Sequence, residues 1–161
     1  MRWIIKSKPN PKIVEKLSSE LGVENTIAYL LAQRGIENFD QAKVFFRPQL
    51  TDLHNPYLMK DMDKAVARIK SAISEKQSIL IYGDYDVDGT TSVALLANYL
   101  ESKKADVGTY IPDRFLEGYG ISKKGIDYAS KSGYSLIIAL DCGIKALDKI
   151  EYAKAIGIDF I

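Results

Sequence analysis

The hydrophobic residues of this chain follow one spacing in its first half and a different spacing in its second half. In the first half they recur every three or four positions, which is the period of one face of an α-helix. This period predicts helices over 12–21, 27–35, 42–46 and 60–75. Gly22 and Pro48 are typical of helix ends, and the proline-containing residues 47–58 are predicted to form a linker.

In the second half, short apolar runs alternate with helical segments. Residues 79–82 are continuously apolar, which is typical of a strand that is buried on both faces of a sheet. Further strands are predicted over 106–111, 135–140 and 158–161, and the helices between the strands over 93–103, 122–133 and 145–155. This alternation predicts an α/β fold, with a parallel Rossmann-like sheet and flanking helices.

The two spacings divide the chain into two regions. Residues 1–77 are predicted to be a small helical N-terminal segment with a lead-in helix, and residues 78–161 a partial α/β domain. Because the sequence stops inside the fourth predicted strand, we expect it to be a truncated part of a longer protein. In open sheets of this kind, ligands bind at the carboxyl ends of the strands, so candidate functional residues are expected there.

Composition excludes several classes of protein. The chain has 161 residues, 22 Lys and Arg against 21 Asp and Glu, and 47% hydrophobic residues, as is usual for a globular protein. Its single cysteine, Cys142, excludes a disulfide framework. No apolar run approaches the roughly 18 residues of a membrane span, and the N-terminus lacks the apolar core of a signal peptide. We therefore expect a cytoplasmic protein that does not associate with membranes.

The first predicted strand is followed by three carboxylates at alternate positions, Asp84, Asp86 and Asp88. Like charges a few ångström apart repel one another, and a helix N-terminus supplies only about half a positive charge. A divalent cation with oxygen ligands, Mg²⁺ or Mn²⁺, would neutralise them. The alternative is that Asp88 caps the following helix and the other two acids are solvated.

Three known patterns share parts of this acidic segment. A calcium EF-hand loop needs a glutamate at its twelfth position, where this chain has Leu95, and a Walker A loop needs a lysine where it has Thr90. Both patterns are therefore excluded. The segment also resembles the first motif of the haloacid-dehalogenase-like phosphatases, in which Asp86 would be the nucleophile. That alternative remains open on this segment alone.

A fourth carboxylate, Asp141, follows the third predicted strand directly and precedes Gly143. Because parallel strands end at the same edge of a sheet, we expect Asp141 to approach Asp86 and Asp88. Four acids at one edge favour a metal centre. Two ions about 3.5–4 Å apart would hold a phosphate between them and favour in-line attack by water.

Four segments together resemble the DHH phosphoesterase superfamily, and within it the exonucleases specific for single strands. The two acidic motifs are ILIYGDYDVDG (79–89) and LDCG (140–143). The loop PDRFLEGYG (112–120) and the stretch NPYLMKDMDKA (55–65) extend the similarity over nearly the whole chain.

This resemblance implies a Mn²⁺- or Mg²⁺-dependent exonuclease that degrades single-stranded DNA from its 5′ end in recombination and repair, with repair proteins as partners. By motif, Asp86, Asp88 and Asp141 would be the metal ligands and Asp84 their support. Arg114 and Tyr119, in a loop that mixes basic and aromatic residues, would contact the DNA.

The sequence lacks the Asp-His-His motif that names the superfamily, so we expect the 161 residues alone to have little nuclease activity. Activity on short oligonucleotides or cyclic dinucleotides is the alternative within the superfamily. A non-catalytic module that binds single-stranded DNA is a further alternative.

Overall fold

The computed structural model describes residues 2–161 and divides at Leu58 into two units. The first unit contains three helices: α1 (Pro11–Leu21), α2 (Asn25–Ala32) and α3 (Phe39–Phe46). Asn10 caps α1 through its side-chain oxygen, and Gly22 ends this helix in the left-handed region at φ 62°. The apolar faces of the helices form one small core from Val14, Leu17, Ala28, Leu31, Ile36 and Ala42.

The residues after α3, at the end of the first unit, form two short 3₁₀ turns, Leu50–Asp52 and Pro56–Leu58. Asp52 accepts a hydrogen bond from the backbone N–H of Gln49, which closes the first of these turns. The predicted linker over 47–58 therefore contains local turns and no longer regular element.

The second unit, Met59–Ile161, is the predicted α/β fold. Its elements are α4 (Met62–Ser74), β1 (Ile79–Gly83), α5 (Val87–Ser102), β2 (Val107–Tyr110), α6 (Lys123–Lys131), β3 (Leu136–Leu140), α7 (Leu147–Ala155) and β4 (Asp159–Phe160). All paired strands are parallel, in the order β2-β1-β3-β4. The fold class predicted from the alternation of strand and helix is confirmed.

Alternate residues of the central strand β1 face opposite layers, and this builds two cores. Ile79 and Ile81 pack with residues of α4 and α5 on one face of the sheet. Leu80 and Tyr82 pack with residues of α6 and α7 on the other face. All five residues of β1 are buried, as its continuous apolar run predicts.

Helix α4 belongs to the core of the second unit. Ala72 is completely buried against the sheet, and Ile69 and Ile73 pack beside it. The division suggested by the sequence pattern, at 77/78, lies after this helix, whereas the units of the structure divide before it. Among the helices of residues 2–161, none is long and apolar enough to cross a membrane.

Candidate active site

The carboxyl ends of β1 and β3 bring two of the predicted acids to the same edge of the sheet. Gly83, the last residue of β1, is in register with Leu140, the last residue of β3. Asp84 and Asp141 therefore leave neighbouring parallel strands at equivalent positions. Asp86 directly precedes α5, and Asp88 lies in the first turn of this helix.

Asp86 is the N-cap residue of α5. Its Oδ1 accepts a hydrogen bond from the backbone N–H of Gly89 at 3.0 Å, and Asp88 lies in the first helical turn. Capping was considered for Asp88 from the sequence, but the structure gives this position to Asp86. Both exposed acids therefore lie at the positive end of the helix dipole, which favours negative charge there.

Gly89 allows the start of α5 to approach the backbone of Asp84 closely. A Cβ atom at Gly89 would lie 2.3 Å from the Asp84 carbonyl oxygen and 2.6 Å from its nitrogen. Only a residue without a side chain fits this space, so the glycine fixes the position of the helix N-terminus beside the end of β1.

Asp84, which was expected from the sequence to support the metal ligands, is completely buried. Its Oδ1 lies 3.4 Å from the backbone N–H of Gly120, which donates to it. Its Oδ2 is buried and has no hydrogen-bond partner. A buried carboxylate oxygen without a partner is unusual, because no hydrogen bond compensates for its loss of hydration.

Asp141 shares the electrostatic environment of the other three acids. Its backbone is left-handed, at φ 56°, and its side chain is exposed. Desolvation contributes most to raising the pKa of Asp141, followed by the negative charges of Asp86, Asp88 and Asp84. The side chains expected at one edge of the sheet therefore lie close enough to interact.

Within residues 2–161, no three His, Cys, Asp or Glu side chains are placed as a ready set of metal ligands. The unpartnered Oδ2 of buried Asp84 is nevertheless the kind of atom that a cation or its hydration shell would satisfy. The neighbouring donors are all carboxylates, which suit hard divalent ions such as Mg²⁺ and Mn²⁺. The chemistry of the donors therefore suits such an ion, although their present arrangement does not enclose one.

A loop that follows β2, residues 111–121, lies at the same edge and carries both predicted substrate contacts. The Arg114 guanidinium lies 5.3 Å from the centre of the Tyr85 ring, and the Tyr119 ring packs edge-on against Tyr85 at 6.3 Å. The negative charge of Asp84, more than desolvation or Asp141, raises the pKa of the Tyr119 hydroxyl. Arg114 and Tyr119 thus both pack against Tyr85, which lies between Asp84 and Asp86 in the sequence.

The family profile described as "DHH family, N-terminal domain" matches residues 78–161, which is just over half of the chain. The chain belongs to the DHH family. This match covers both acidic motifs and the loop between them. It removes the reason to treat Asp86 as the nucleophile of a haloacid-dehalogenase-like phosphatase.

This DHH chain is similar to proteins named RecJ. The single-stranded-DNA-specific exonuclease RecJ of Bacillus subtilis (strain 168) is 40% identical over 161 residues, which is 100% of this chain and 20% of that protein. A crystal structure of exonuclease RecJ bound to manganese is 30% identical with a TM-score of 0.58, over 63% of this chain and 26% of that one. RecJ in complex with Mg²⁺ from Thermus thermophilus is 25% identical with a TM-score of 0.55, over 86% of this chain and 18% of that one.

The DHH chain spans about a fifth of the length of the curated relatives it matches. Its similarity to the Bacillus subtilis protein runs through both units, including the three N-terminal helices outside the family profile.

Sequence reasoning missed two residues of the DHH site region, Tyr85 and Glu117. The Glu117 side chain is only 4% exposed and accepts hydrogen bonds from Tyr110 and Ser122. In the sequence, Glu117 is one acid in a polar loop, and its spacing from Asp113 does not distinguish it from a solvated residue. The only available signal was its place inside the segment PDRFLEGYG, which carried the family resemblance.

Proposed function

We propose that this chain forms part of a metal-dependent phosphodiesterase, a 5′-to-3′ exonuclease specific for single-stranded DNA. One observation carries this proposal. Asp84 and Asp141 follow the paired last residues of β1 and β3, and the charges of Asp84, Asp86 and Asp88 act on Asp141. Similarity along the whole chain to a protein named as a single-stranded-DNA-specific exonuclease supports the choice of substrate.

Asp86, Asp88 and Asp141 would hold the divalent cation, Mn²⁺ or Mg²⁺, with Asp84 in support. The two ions named for the similar crystal structures support this choice. Bound divalent cations would supply Lewis-acid chemistry for phosphodiester hydrolysis. Asp84 would meanwhile hold the loop after β2 against the site, since it accepts a hydrogen bond from the N–H of Gly120.

Arg114 and Tyr119 would bind the substrate. A guanidinium pairs well with a phosphate, and exposed aromatic rings stack on the bases of an unpaired strand. The Tyr119 side chain is 67% exposed, and Arg114 stands over Tyr85 beside it. A duplex would offer its phosphates to Arg114 but keep its bases stacked away from these rings, so this arrangement favours a single strand.

The biological setting is part of the same proposal and is supported by the same similarity. A RecJ-like exonuclease would act in DNA recombination and repair, in the cytoplasm and together with other repair proteins. The 5′-to-3′ direction belongs to this proposal as well.

The test of the metal site uses Asp86→Asn in this chain. Asparagine caps a helix about as well as aspartate, so the fold should survive while one anionic ligand is lost. Isothermal titration calorimetry is expected to give Mn²⁺ binding that is weaker by more than about tenfold. Asp63→Asn, on the exposed surface of α4, is the matched control and should bind as the unmodified chain does.

The activity test uses Bacillus subtilis RecJ in which this chain replaces the 161 residues it matches. We expect Mn²⁺-dependent release of nucleotides from the 5′ end of a labelled single strand, slowed more than about 100-fold by Asp86→Asn. Short oligonucleotides and a cyclic dinucleotide serve as rival substrates. Unchanged activity in Asp86→Asn would reject the role of this residue as a ligand, and faster turnover of a rival would reject the proposed substrate.

A further inference from the structure

We propose that Glu117 is a positioning residue, which fixes the loop after β2 so that Arg114 faces a single strand. This inference rests on the proposed function for the identity of the strand. Glu117 itself bonds to Tyr110, Asp113 and Ser122 and has no hydrogen bond to the acids at the end of β1. Its effect on the substrate would pass through the loop that it organises.

Glu117 is the centre of a buried group of hydrogen bonds. Its carboxylate oxygens accept from the Tyr110 hydroxyl at 2.8 and 3.0 Å, from the backbone N–H of Asp113 at 3.0 Å, and from the Ser122 hydroxyl. The Lys124 ammonium group lies 3.8 Å from one of these oxygens. The bonds join the end of β2, the beginning of the loop and the N-cap of α6 to one side chain.

Every one of these partners is a donor, so the site requires an acceptor with both oxygens unprotonated. Burial alone raises the pKa of Glu117, but the hydrogen bonds from Ser122, Asp113 and Tyr110 and the charge of Lys124 outweigh it and lower the pKa below its usual value. An amide at this position would turn an N–H₂ group toward a hydroxyl or a backbone N–H. One buried hydrogen bond would then be lost.

The remaining hydrogen bonds of the loop are local or lie at its far end. Asp113 Oδ1 accepts from the backbone N–H groups of Phe115 and Leu116, which forms a tight turn. Gly120 accepts from the Tyr82 hydroxyl at 3.0 Å and donates to Asp84 at 3.4 Å. Between these two ends, Glu117 is the buried side chain that ties the loop to the sheet.

The part of the loop that Glu117 holds is the part that carries the proposed substrate contacts. Arg114 lies over the Tyr85 ring and Tyr119 packs against the edge of the same ring. Phe115, next to Arg114, is 94% exposed and makes no core contact that would hold this turn. Loss of the Glu117 bonds should therefore release Arg114 and leave the two cores of the unit intact.

The first experiment measures loop order without DNA. Trypsin cleavage at Arg114 is followed by mass spectrometry in the folded chain, unmodified and as Glu117→Gln. Cleavage there is expected to be about tenfold faster in Glu117→Gln, because the loop opens locally, with other sites unchanged. The matched control is Asp127→Asn, which removes another carboxylate that accepts from a tyrosine, Tyr152, but lies outside the loop.

The second experiment asks whether Glu117 acts through Arg114. Binding of a 5′-phosphorylated oligothymidylate to the chain is measured by fluorescence anisotropy at low ionic strength, for Glu117→Gln, Arg114→Ala and the double variant. Glu117→Gln should weaken binding about fivefold or more, and the double variant should bind no more weakly than Arg114→Ala. A role limited to stability would instead give additive losses.

The outcomes separate the two proposals. Equal cleavage at Arg114 in Glu117→Gln and the unmodified chain would overturn the positioning role, whatever the DNA result. Additive losses in the double variant would overturn it as well. Failure of the unmodified chain to bind the oligonucleotide, with faster cleavage in Glu117→Gln, would contradict the proposed substrate and with it the role toward DNA.

Discussion

At the scale of single residues, Asp84 combines complete burial with a carboxylate oxygen that has no partner. Asp141 is close enough for the charges of Asp84, Asp86 and Asp88 to act on it, so negative charge accumulates around this point. A buried polar group without a partner costs about 1–3 kcal/mol, and neighbouring like charges increase the cost. A bound cation would offset this cost. Without a cation, the cost lowers the free energy of unfolding.

Asp84→Asn tests this balance directly. In the absence of metal, the variant is expected to raise the free energy of unfolding by about 1–3 kcal/mol, because it removes one negative charge and keeps an oxygen for the Gly120 N–H. With Mn²⁺ at 100 times its Kd, the unmodified chain should gain about 2.7 kcal/mol and the variant less. Urea denaturation in EDTA and in MnCl₂ measures both quantities.

Asp63→Asn is the control for this experiment, because Asp63 is exposed and lies in the first turn of α4. Its loss should cost about 0.3–1 kcal/mol through the helix dipole, equally with and without Mn²⁺. A metal-free Asp84→Asn chain less stable than the unmodified one would contradict the burial argument. An equal gain from Mn²⁺ would show that Asp84 does not assist the metal.

The positions of the site acids could be predicted from the sequence, but their burial could not. An acid directly after a buried parallel strand must lie at the ligand-binding edge, and this places Asp84 and Asp141. Burial depends on the path of the loop over 111–121, which folds back so that Gly120 reaches Asp84 and Glu117 reaches Tyr110. No spacing rule fixes such a path, because it is set by hydrogen bonds between elements.

At the scale of elements, the start of α5 determines where two of the acids lie. The helix begins at Val87, with Asp86 as its N-cap, and crosses the end of β1 where Gly89 contacts the backbone of Asp84. The apolar period predicts this helix only from residue 93, because residues 88–92 are small or polar. Its true beginning is set by capping and by close packing at a glycine, which the hydrophobic period does not record.

Gly89→Ala is expected to lower the free energy of unfolding by about 1–3 kcal/mol, since the new Cβ must displace the helix from the Asp84 backbone. Alanine normally favours a helix interior by about 0.5–1 kcal/mol, so a loss of stability identifies the contact as the cause. Thr91→Ala, at an exposed position of the same helix, should change stability by no more than about 0.5 kcal/mol. Urea denaturation compares them, and a Gly89→Ala chain as stable as the unmodified one would contradict the close approach.

At the scale of the whole molecule, two boundaries compete for the start of the α/β domain. The hydrophobic pattern changes at 77/78, where the family profile also begins, whereas the units of the structure divide at Leu58. The sequence pattern marks a change from helical to strand spacing, and it cannot show which neighbours a helix packs against. Because α4 covers one face of the sheet, we propose that the folding unit begins near Met59.

Two truncated chains test this boundary, one with residues 59–161 and one with residues 78–161. The longer should unfold cooperatively in urea, because Ile69, Ala72 and Ile73 still cover the face of the sheet formed by Ile79 and Ile81. The shorter keeps α5 on that face but exposes the part that α4 covers, so we expect binding of the dye ANS and a broad transition by circular dichroism. If the two fragments unfolded with the same midpoint and the same steepness, α4 would be dispensable, and the domain would begin where the hydrophobic spacing changes.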